Sequence, residues 1–280
     1  MAITLGGGGS SSQINEVVTL NNTADTVTLA DGRVYLKGGV FETNLSTYPL
    51  ALSGLQRVLN FTVLQDTTAQ GVTWDGTNYW VVGATNDRVY KYDAAGAYTS
   101  TFFSISSQST SPADIEWDGT YLWVLDNANN KLFSYNTAGT YISQFSVNAQ
   151  VAGGWKGFTW DGTFFWVANS NGNVYKYNSS GVYQSVTFSI ASETTSIQGI
   201  AWDGTYFWVA DYYQTLYKYN SSGVYQNETI ATAGYLVGVG AKDNFPMVVI
   251  QTPRSVDVYA IVNGVVSVAD LGAQNYVRVV

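Results

Sequence analysis

The strongest constraint on this chain is a Trp-Asp-Gly-Thr motif that recurs at a nearly constant interval. Its four copies start 43, 43 and 42 residues apart, at Trp74, Trp117, Trp160 and Trp202. A second tryptophan follows six residues after the first in every copy, at Trp80, Trp123, Trp166 and Trp208. A fixed period of about 40–45 residues is typical of a repeat protein in which each unit is one supersecondary element.

One unit of the repeat predicts four short strands. Gly157–Trp160 forms the first, and Asp161-Gly162 forms a hairpin turn whose glycine supplies the positive φ that such turns require. The other three are predicted at 164–168, 174–177 and 182–190. This pattern indicates a β-propeller blade, so the fold class is all-β: a single propeller of four-stranded blades behind a short β-rich arm. A helical solenoid is excluded because no segment has a 3.6-residue apolar period. A β-sandwich is disfavoured because that fold does not need near-identical units.

Five blades are the favoured count. Residues 238–241 and Met247 occupy the first-strand and second-tryptophan positions of a degenerate fifth unit, and 256–262 with 265–268 predict a further hairpin. Upstream, Phe61-Thr62-Val63 resembles the last strand of each unit, so it is expected to complete the final blade and leave no open sheet edge. Six blades remain the alternative, with Asp31-Gly32 heading a degraded unit that Tyr276–Val280 completes.

The chain is therefore expected to have two parts. Residues 1–52 form an arm or docking module with a flexible Gly/Ser stretch at 6–12, too short for an independent core. Residues 53–280 form the propeller, with regular repeats over 71–230 and the degenerate closing blade over 235–280.

Composition narrows the function. Histidine and cysteine are absent, which removes the commonest general base, thiolate chemistry and the usual metal ligands. The expectation is no cofactor, no metal and no enzymatic activity. The net charge of −8 disfavours a nucleic-acid partner. No apolar run approaches the roughly 20 residues that insertion in a membrane needs, and no signal peptide is recognised at the start.

Most repeat residues are expected to serve the fold. The eight tryptophans are predicted to pack between blades, the motif aspartates to cap their turns, and Lys91, Lys176 and Lys218 to be solvated. Carboxylates that a glycosidase would need are available at Asp114, Glu116, Glu193 and Asp211, but nothing in the sequence pairs them.

Candidate ligand-binding residues lie where the repeat is broken or at one rim. Trp155 belongs to an apparent insertion, and Tyr212-Tyr213 replaces a polar turn. Three polar side chains share the position three residues after the second tryptophan, where they are expected to cap the end of the second strand, with binding at one rim as the alternative. The set is Trp155, Tyr212, Tyr213, Asp126, Asn169 and Asp211.

Residues 199–211, GIAWDGTYFWVAD, resemble the NHL and YVTN propeller repeats. The resemblance covers 71–230 and implies that the first strand of each blade is innermost. It implies that the first tryptophan of each motif, from Trp74 to Trp202, lies near the axis.

The first 50 residues carry a second resemblance. Leu5–Ser10, Ser12–Glu16, Ala30–Val40 and Tyr48-Pro49 resemble the start of tail-fibre-type virion proteins of tailed bacteriophages. This implies a tail or tail-fibre component, assembled in the host cytoplasm, whose residues 1–50 dock on other virion proteins.

These observations predict a bacteriophage structural protein that displays its propeller for host recognition or structural contacts. The alternatives are a lectin-like module that binds a host-surface glycan and, third, a polysaccharide hydrolase. The sequence is compatible with a homo-oligomer and does not determine the oligomeric state.

Overall fold

The computed structural model describes residues 55–147, 154–232, 234–251 and 254–261, and its side chains are described within 57–259. Outside these ranges it describes only a few short strands. The chain divides into two compact units, Met1–Gln56 with Ile261–Val280 and Arg57–Ala260. The domain boundaries at 52 and 53 stay a prediction.

The first unit is described through paired strands. They are β1 (Ala2–Leu5) with β2 (Glu16–Thr19), β3 (Thr26–Thr28) with β4 (Val34–Leu36), and β5 (Leu50–Leu52) with β26 (Gly264–Val266). The hairpin expected between 256–262 and 265–268 is wrong, because Gly264–Val266 pairs with Leu50–Leu52 instead. The Gly/Ser stretch at 6–12 and Tyr276–Val280 lie outside the described residues.

The second unit consists of five four-stranded antiparallel sheets, here called blades 1 to 5. Blade 1 is β7 (Ala69–Trp74), β8 (Tyr79–Gly83), β9 (Arg88–Tyr92) and β10 (Tyr98–Ser104). Blade 2 is β11 (Pro112–Trp117), β12 (Leu122–Asp126), β13 (Lys131–Tyr135) and β14 (Tyr141–Ser146). Blade 3 is β15 (Trp155–Trp160), β16 (Phe164–Asn169), β17 (Asn173–Asn178) and β18 (Tyr183–Ser189). Blade 4 is β19 (Ile197–Trp202), β20 (Tyr206–Asp211), β21 (Thr215–Asn220) and β22 (Tyr225–Ala231). Blade 5 is β23 (Leu236–Lys242), β24 (Phe245–Ile250), β25 (Ser255–Ile261) and β6 (Leu55–Thr62).

The first strands of the blades are innermost and lie side by side. The backbone N–H of Trp117 donates to Thr73 Oγ1 of blade 1, and that of Trp202 donates to Thr159 Oγ1 of blade 3. Between blades 5 and 1 the backbones approach so closely that a Cβ at Gly240 would overlap the carbonyl oxygen of Val72. The ring closes with five blades, so five is confirmed and six is wrong.

Blade 5 takes its outer strand from the segment before blade 1, as the sequence predicted. The N–H of Val63 donates to the carbonyl of Arg254, and Asn60 Nδ2 donates to Asp257 Oδ1 at 2.5 Å. Phe61 packs on Gly96 of the next blade, as Phe103 packs on Gly139. The outer strand therefore joins the two ends of the ring within one sheet.

The Trp-Asp-Gly-Thr motif is a self-contained turn, which confirms the structural interpretation of its aspartate. Asp118 Oδ1 accepts the N–H groups of Thr120 and Tyr121, both at 2.7 Å. Its Oδ2 accepts the indole N–H of Trp123 at 2.6 Å. The other three aspartates make the same bonds, to Trp80, Trp166 and Trp208. The face of the propeller that carries these four turns is called the DGT face below.

Aromatic and branched side chains between neighbouring blades form the core. The second tryptophan of each motif is buried, with Trp80 at 0% exposure and Trp123 at 5%. The repeat lysines are not simply solvated, because Lys91, Lys176 and Lys218 lie over these indole rings at 4.9–5.3 Å from the ring centroids. Such cation–π contacts cover Trp80, Trp166 and Trp208.

Candidate functional site

Two carboxyl groups lie on the inner strand of blade 2, at positions that the other blades fill with smaller side chains. Asp114 stands where the other inner strands have Gly71, Gly157, Gly199 and Gly238. Glu116 stands where they have Thr73, Thr159, Ala201 and Gly240. Because alternate residues of a strand point to the same side, both carboxyls face the inner strands of neighbouring blades.

Asp114 is completely enclosed. Its Oδ1 accepts the N–H of Ile115 at 2.8 Å, and its Oδ2 accepts the N–H of Phe158 in blade 3 at 3.0 Å. A Cβ at Gly71 or Gly157 would collide with this carboxyl, so the glycines make the space that it fills. Burial raises the pKa of Asp114 well above its ordinary value, although the two backbone bonds act in the opposite direction.

Glu116 lies closer to the DGT face and retains 7% exposure. Its Oε1 accepts from Thr159 Oγ1 at 2.9 Å and from the N–H of Trp160 at 3.2 Å, and its Oε2 accepts from Thr73 Oγ1 at 3.2 Å. Burial raises the pKa of Glu116 to about 7, although these three hydrogen bonds act to lower it. A carboxyl with a pKa near neutrality is suited to take up and release a proton.

Half-buried tryptophans surround this end of the inner strands. They are the first tryptophans of the four motifs, Trp74, Trp117, Trp160 and Trp202. Trp74 packs on Tyr79 with ring centroids 4.5 Å apart, and Trp202 packs on Phe207 at 4.6 Å. These rings give the DGT face aromatic surface, and their place on the innermost strands agrees with the repeat resemblance.

The three polar candidates at the end of the second strands are buried and bonded within their own connections. Asp126 accepts from Ser109 Oγ and from the N–H groups of Thr110, Ser111 and Asn129. Asn169 Oδ1 caps the turn at Asn171 and Asn173, and Asp211 accepts from Thr194 and from the N–H of Tyr213. They lie in different blades and do not converge on one site. Their geometry is that of turn caps.

Trp155 is not on an exposed insertion. It is the first residue of the inner strand β15 and is fully buried, whereas the sequence placed it in a loop. The other inner strands have Ala69, Pro112, Ile197 and Leu236 at this position, so Trp155 occupies an apolar site of the repeat. Its ring meets Tyr175 edge-on with centroids 5.8 Å apart, and its buried indole N–H has no partner among the described residues.

Tyr212 and Tyr213 do lie at the surface, on the face opposite the DGT turns. The Tyr212 ring stacks on Tyr235 with centroids 4.9 Å apart and planes 15° apart, and it meets Tyr213 edge-on at 5.6 Å. Tyr213 is 66% exposed and Tyr235 43%. The hydroxyl of Tyr212 lies 3.5 Å from Gln251 Oε1 of blade 5. These three rings and the amide are called the tyrosine patch below.

From the sequence, Asp114 and Glu116 were recognised only as available carboxylates, and Tyr235 was not recognised as a site residue. Aligning the inner strands would have found both acids, because each replaces a glycine or a small residue of the repeat. Tyr235 was missed because it precedes the degenerate blade, where the repeat is hard to align.

No cluster of three or more metal-ligating side chains occurs among the residues that the structure describes. Nor does any helix of the described residues have the length and apolarity to cross a membrane.

Solved structures share this fold. Glutaminyl cyclase from Myxococcus xanthus matches with a TM-score of 0.60 at 8% sequence identity, over 74% of this chain and 96% of that one. Virginiamycin B lyase from Staphylococcus aureus matches with a TM-score of 0.45 at 15% identity, over 84% and 79%. No protein-family model and no curated protein matches the chain.

The glutaminyl cyclase overturns the expectation that this chain is not an enzyme. That expectation treated a propeller without histidine or cysteine as a binding scaffold, and a propeller of this fold is an enzyme. Asp114 and Glu116, two of the four carboxylates that the sequence did not pair, lie two residues apart on the same side of β11, each with its own hydrogen-bond partners. The likeness is one of fold and assigns no reaction to this chain.

Proposed function

We propose that this chain is a virion component of a tailed bacteriophage whose propeller binds a glycan on the host surface. The resemblance of residues 1–50 to tail-fibre-type proteins supports the virion assignment, with that segment docking on other tail proteins. The NHL-like repeat resemblance supports the propeller fold on which such a site is built. The tyrosine patch carries the proposal for the glycan.

The patch has the chemistry that a sugar requires. Exposed aromatic faces accept the apolar C–H face of a sugar ring, and the side-chain amide of Gln251 offers hydrogen bonds to its hydroxyls. The scaffold does not require these tyrosines: at the position of Tyr212 the other complete repeats have Ala84, Asn127 and Ser170. Clustered exposed aromatic residues that the repeat does not require are typical of an interaction site.

Removing one ring tests the proposal. In Tyr213→Ala we expect binding to host cells or to host polysaccharide to fall at least tenfold, because the most exposed stacking surface is lost. Asn171→Ala, at the equivalent turn of blade 3, is the matched control and should bind as the wild type does. Equal binding by all three proteins would refute the patch, and absence of the chain from purified phage particles would refute the virion assignment.

A second candidate function is enzymatic, and Glu116 favours it. The carboxyl is held by two threonine hydroxyls and one backbone N–H, has a pKa of about 7 and lies near the DGT face. Such a group can transfer a proton to or from a bound substrate. A peptide with an N-terminal glutamine is the first substrate to test, since a glutaminyl cyclase shares the fold.

The assay measures ammonia release and the matching mass loss of the peptide. We expect turnover by the wild type and a loss of at least a hundredfold in Glu116→Gln, which keeps the size of the side chain but cannot exchange the proton. Tyr213→Ala should retain full turnover. No turnover by the wild type would reject this substrate, and equal rates in Glu116→Gln would reject the role of the carboxyl.

A further inference from the structure

A cleft on the DGT face lies between blades 3 and 4. Phe164 of blade 3 and Trp202 of blade 4 give it aromatic walls, and Lys176, Asp161 and Ser221 line it with polar groups. Its volume is about 240 Å³. That is below the roughly 300 Å³ at which pockets for drug-sized ligands begin, so the cleft suits a single ring.

Lys176 brings a positive charge to this cleft. Its Nζ lies 3.8 Å from the ring centroid of Phe164 and 4.9 Å from that of Trp166. None of the ion pairs formed by described residues involves it. Asp161 is nearby, but its two oxygens already accept two backbone N–H groups and the Trp166 indole. The ammonium group therefore retains hydrogen-bond donors for a further partner.

Blade 4 shows what neutralises such a lysine. Lys218 occupies the equivalent position and forms an ion pair with Glu228 at 2.8 Å. The outer strand of blade 3 has Val186 where blade 4 has Glu228, and Val186 is 42% exposed. One substitution between two nearly identical repeats thus leaves Lys176 without the carboxylate that Lys218 has.

The other blades do not combine two aromatic walls with an unpaired lysine. Blade 2 has Ser134 in place of the lysine, although Tyr121 and Trp160 supply equivalent walls. Blade 1 keeps Lys91 but has Asn78 where blade 3 has Phe164. Within the part of the chain that is described, an aromatic-walled cleft with an unpaired lysine occurs between blades 3 and 4.

We propose that this cleft binds a sugar that carries a carboxylate, such as a uronic acid. The ring lies against Trp202, the carboxylate accepts hydrogen bonds from Lys176 Nζ, and the hydroxyl of Ser221 is placed to bond a ring hydroxyl. The site is separate from the tyrosine patch and lies on the other face. Only the biological role of this cleft depends on the glycan recognition proposed above, and its binding of a carboxylated sugar does not.

The test is a titration of the whole protein with glucuronate, followed by NMR or calorimetry, with glucose and acetate as controls for the ring and the charge. We expect glucuronate to bind at least fivefold more tightly than either control. Lys176→Ser, which copies blade 2, and Val186→Glu, which copies the ion pair of blade 4, should each remove this preference. Lys218→Ser is the matched control and should retain it.

Val186→Glu keeps every residue of the cleft and changes only the charge beside it, so a loss in this variant cannot be assigned to a collapsed wall. Equal binding of glucuronate and glucose by the wild type would overturn the proposal. So would equal losses in Lys176→Ser and Lys218→Ser. Tyr213→Ala should bind glucuronate normally, so this site and the tyrosine patch can fail independently.

Discussion

At the scale of single residues, burial of the two carboxyls of blade 2 is costly for the propeller. Asp114 and Glu116 are enclosed, and the groups that contact their oxygens are backbone N–H groups and threonine hydroxyls rather than cations. Hydrogen bonds of this kind compensate burial of a charge only in part. The folded chain therefore favours the neutral acids.

This preference makes stability depend on pH. The pKa of Glu116 is about 7 in the folded protein and has an ordinary value of 4.5. Because the raised pKa favours the protonated form, its stabilisation is complete below about pH 4.5 and is lost as the pH rises through 7. We expect Glu116 to make the free energy of unfolding about 1–3 kcal/mol lower at pH 8 than at pH 4.5.

Denaturant unfolding of the wild type and Glu116→Gln across this range measures the contribution as the difference between the two proteins. The glutamine variant cannot titrate, so its profile should be flatter between pH 4.5 and 8. Parallel profiles would show that the carboxyl does not titrate as its burial requires.

At the scale of the strands, local chemistry was sufficient to predict most of a blade. The turn at Asp161-Gly162 follows from an aspartate that caps its own backbone and a glycine with positive φ, here +93°. The strands of blade 3 begin and end within three residues of their predicted limits, because each lies between such turns. The outer strand that closes blade 5 was predictable because Phe61 repeats the position of Phe103.

The candidate site was harder to predict, because its residues meet only in the ring. Whether Asp114 is exposed or enclosed depends on glycines 43 residues before and after it, which contact it across blade boundaries. Trp155 was placed in a loop because its neighbours look like an insertion, yet the apolar residues at its position in the other blades indicate burial. The six candidate ligand residues were predicted from breaks in the repeat and from a shared rim position, and two of them, Tyr212 and Tyr213, belong to the tyrosine patch.

At the scale of the whole molecule, closure of the ring depends on how closely blade 5 approaches blade 1. Gly238 and Gly240 face the carbonyl oxygens of Gln70 and Val72, with no space for a Cβ. Position 240 corresponds to Ala201 in blade 4, where a side chain is accommodated. The degenerate sequence of blade 5 is therefore partly a requirement of closure.

Substitution at this junction should weaken the whole ring. We expect Gly240→Ala to lower the free energy of unfolding by about 3 kcal/mol or more, since the backbones must separate to admit the methyl group. Ala201→Gly, at the same position of an ordinary blade, should cost only about 1 kcal/mol. Thermal or denaturant unfolding distinguishes the two, and similar losses in both variants would contradict the tight junction.

The shared blade 5 has a consequence for how the propeller can be handled. Val63 lies opposite Arg254 and Asn60 opposite Asp257, so β6 and β25 are antiparallel and the chain enters and leaves the ring at neighbouring points. A domain with adjacent termini tolerates insertion into a loop of an unrelated carrier. Residues 57–260 are thus suited to transplantation as a cassette, which would let its two candidate sugar sites be displayed on a protein of choice.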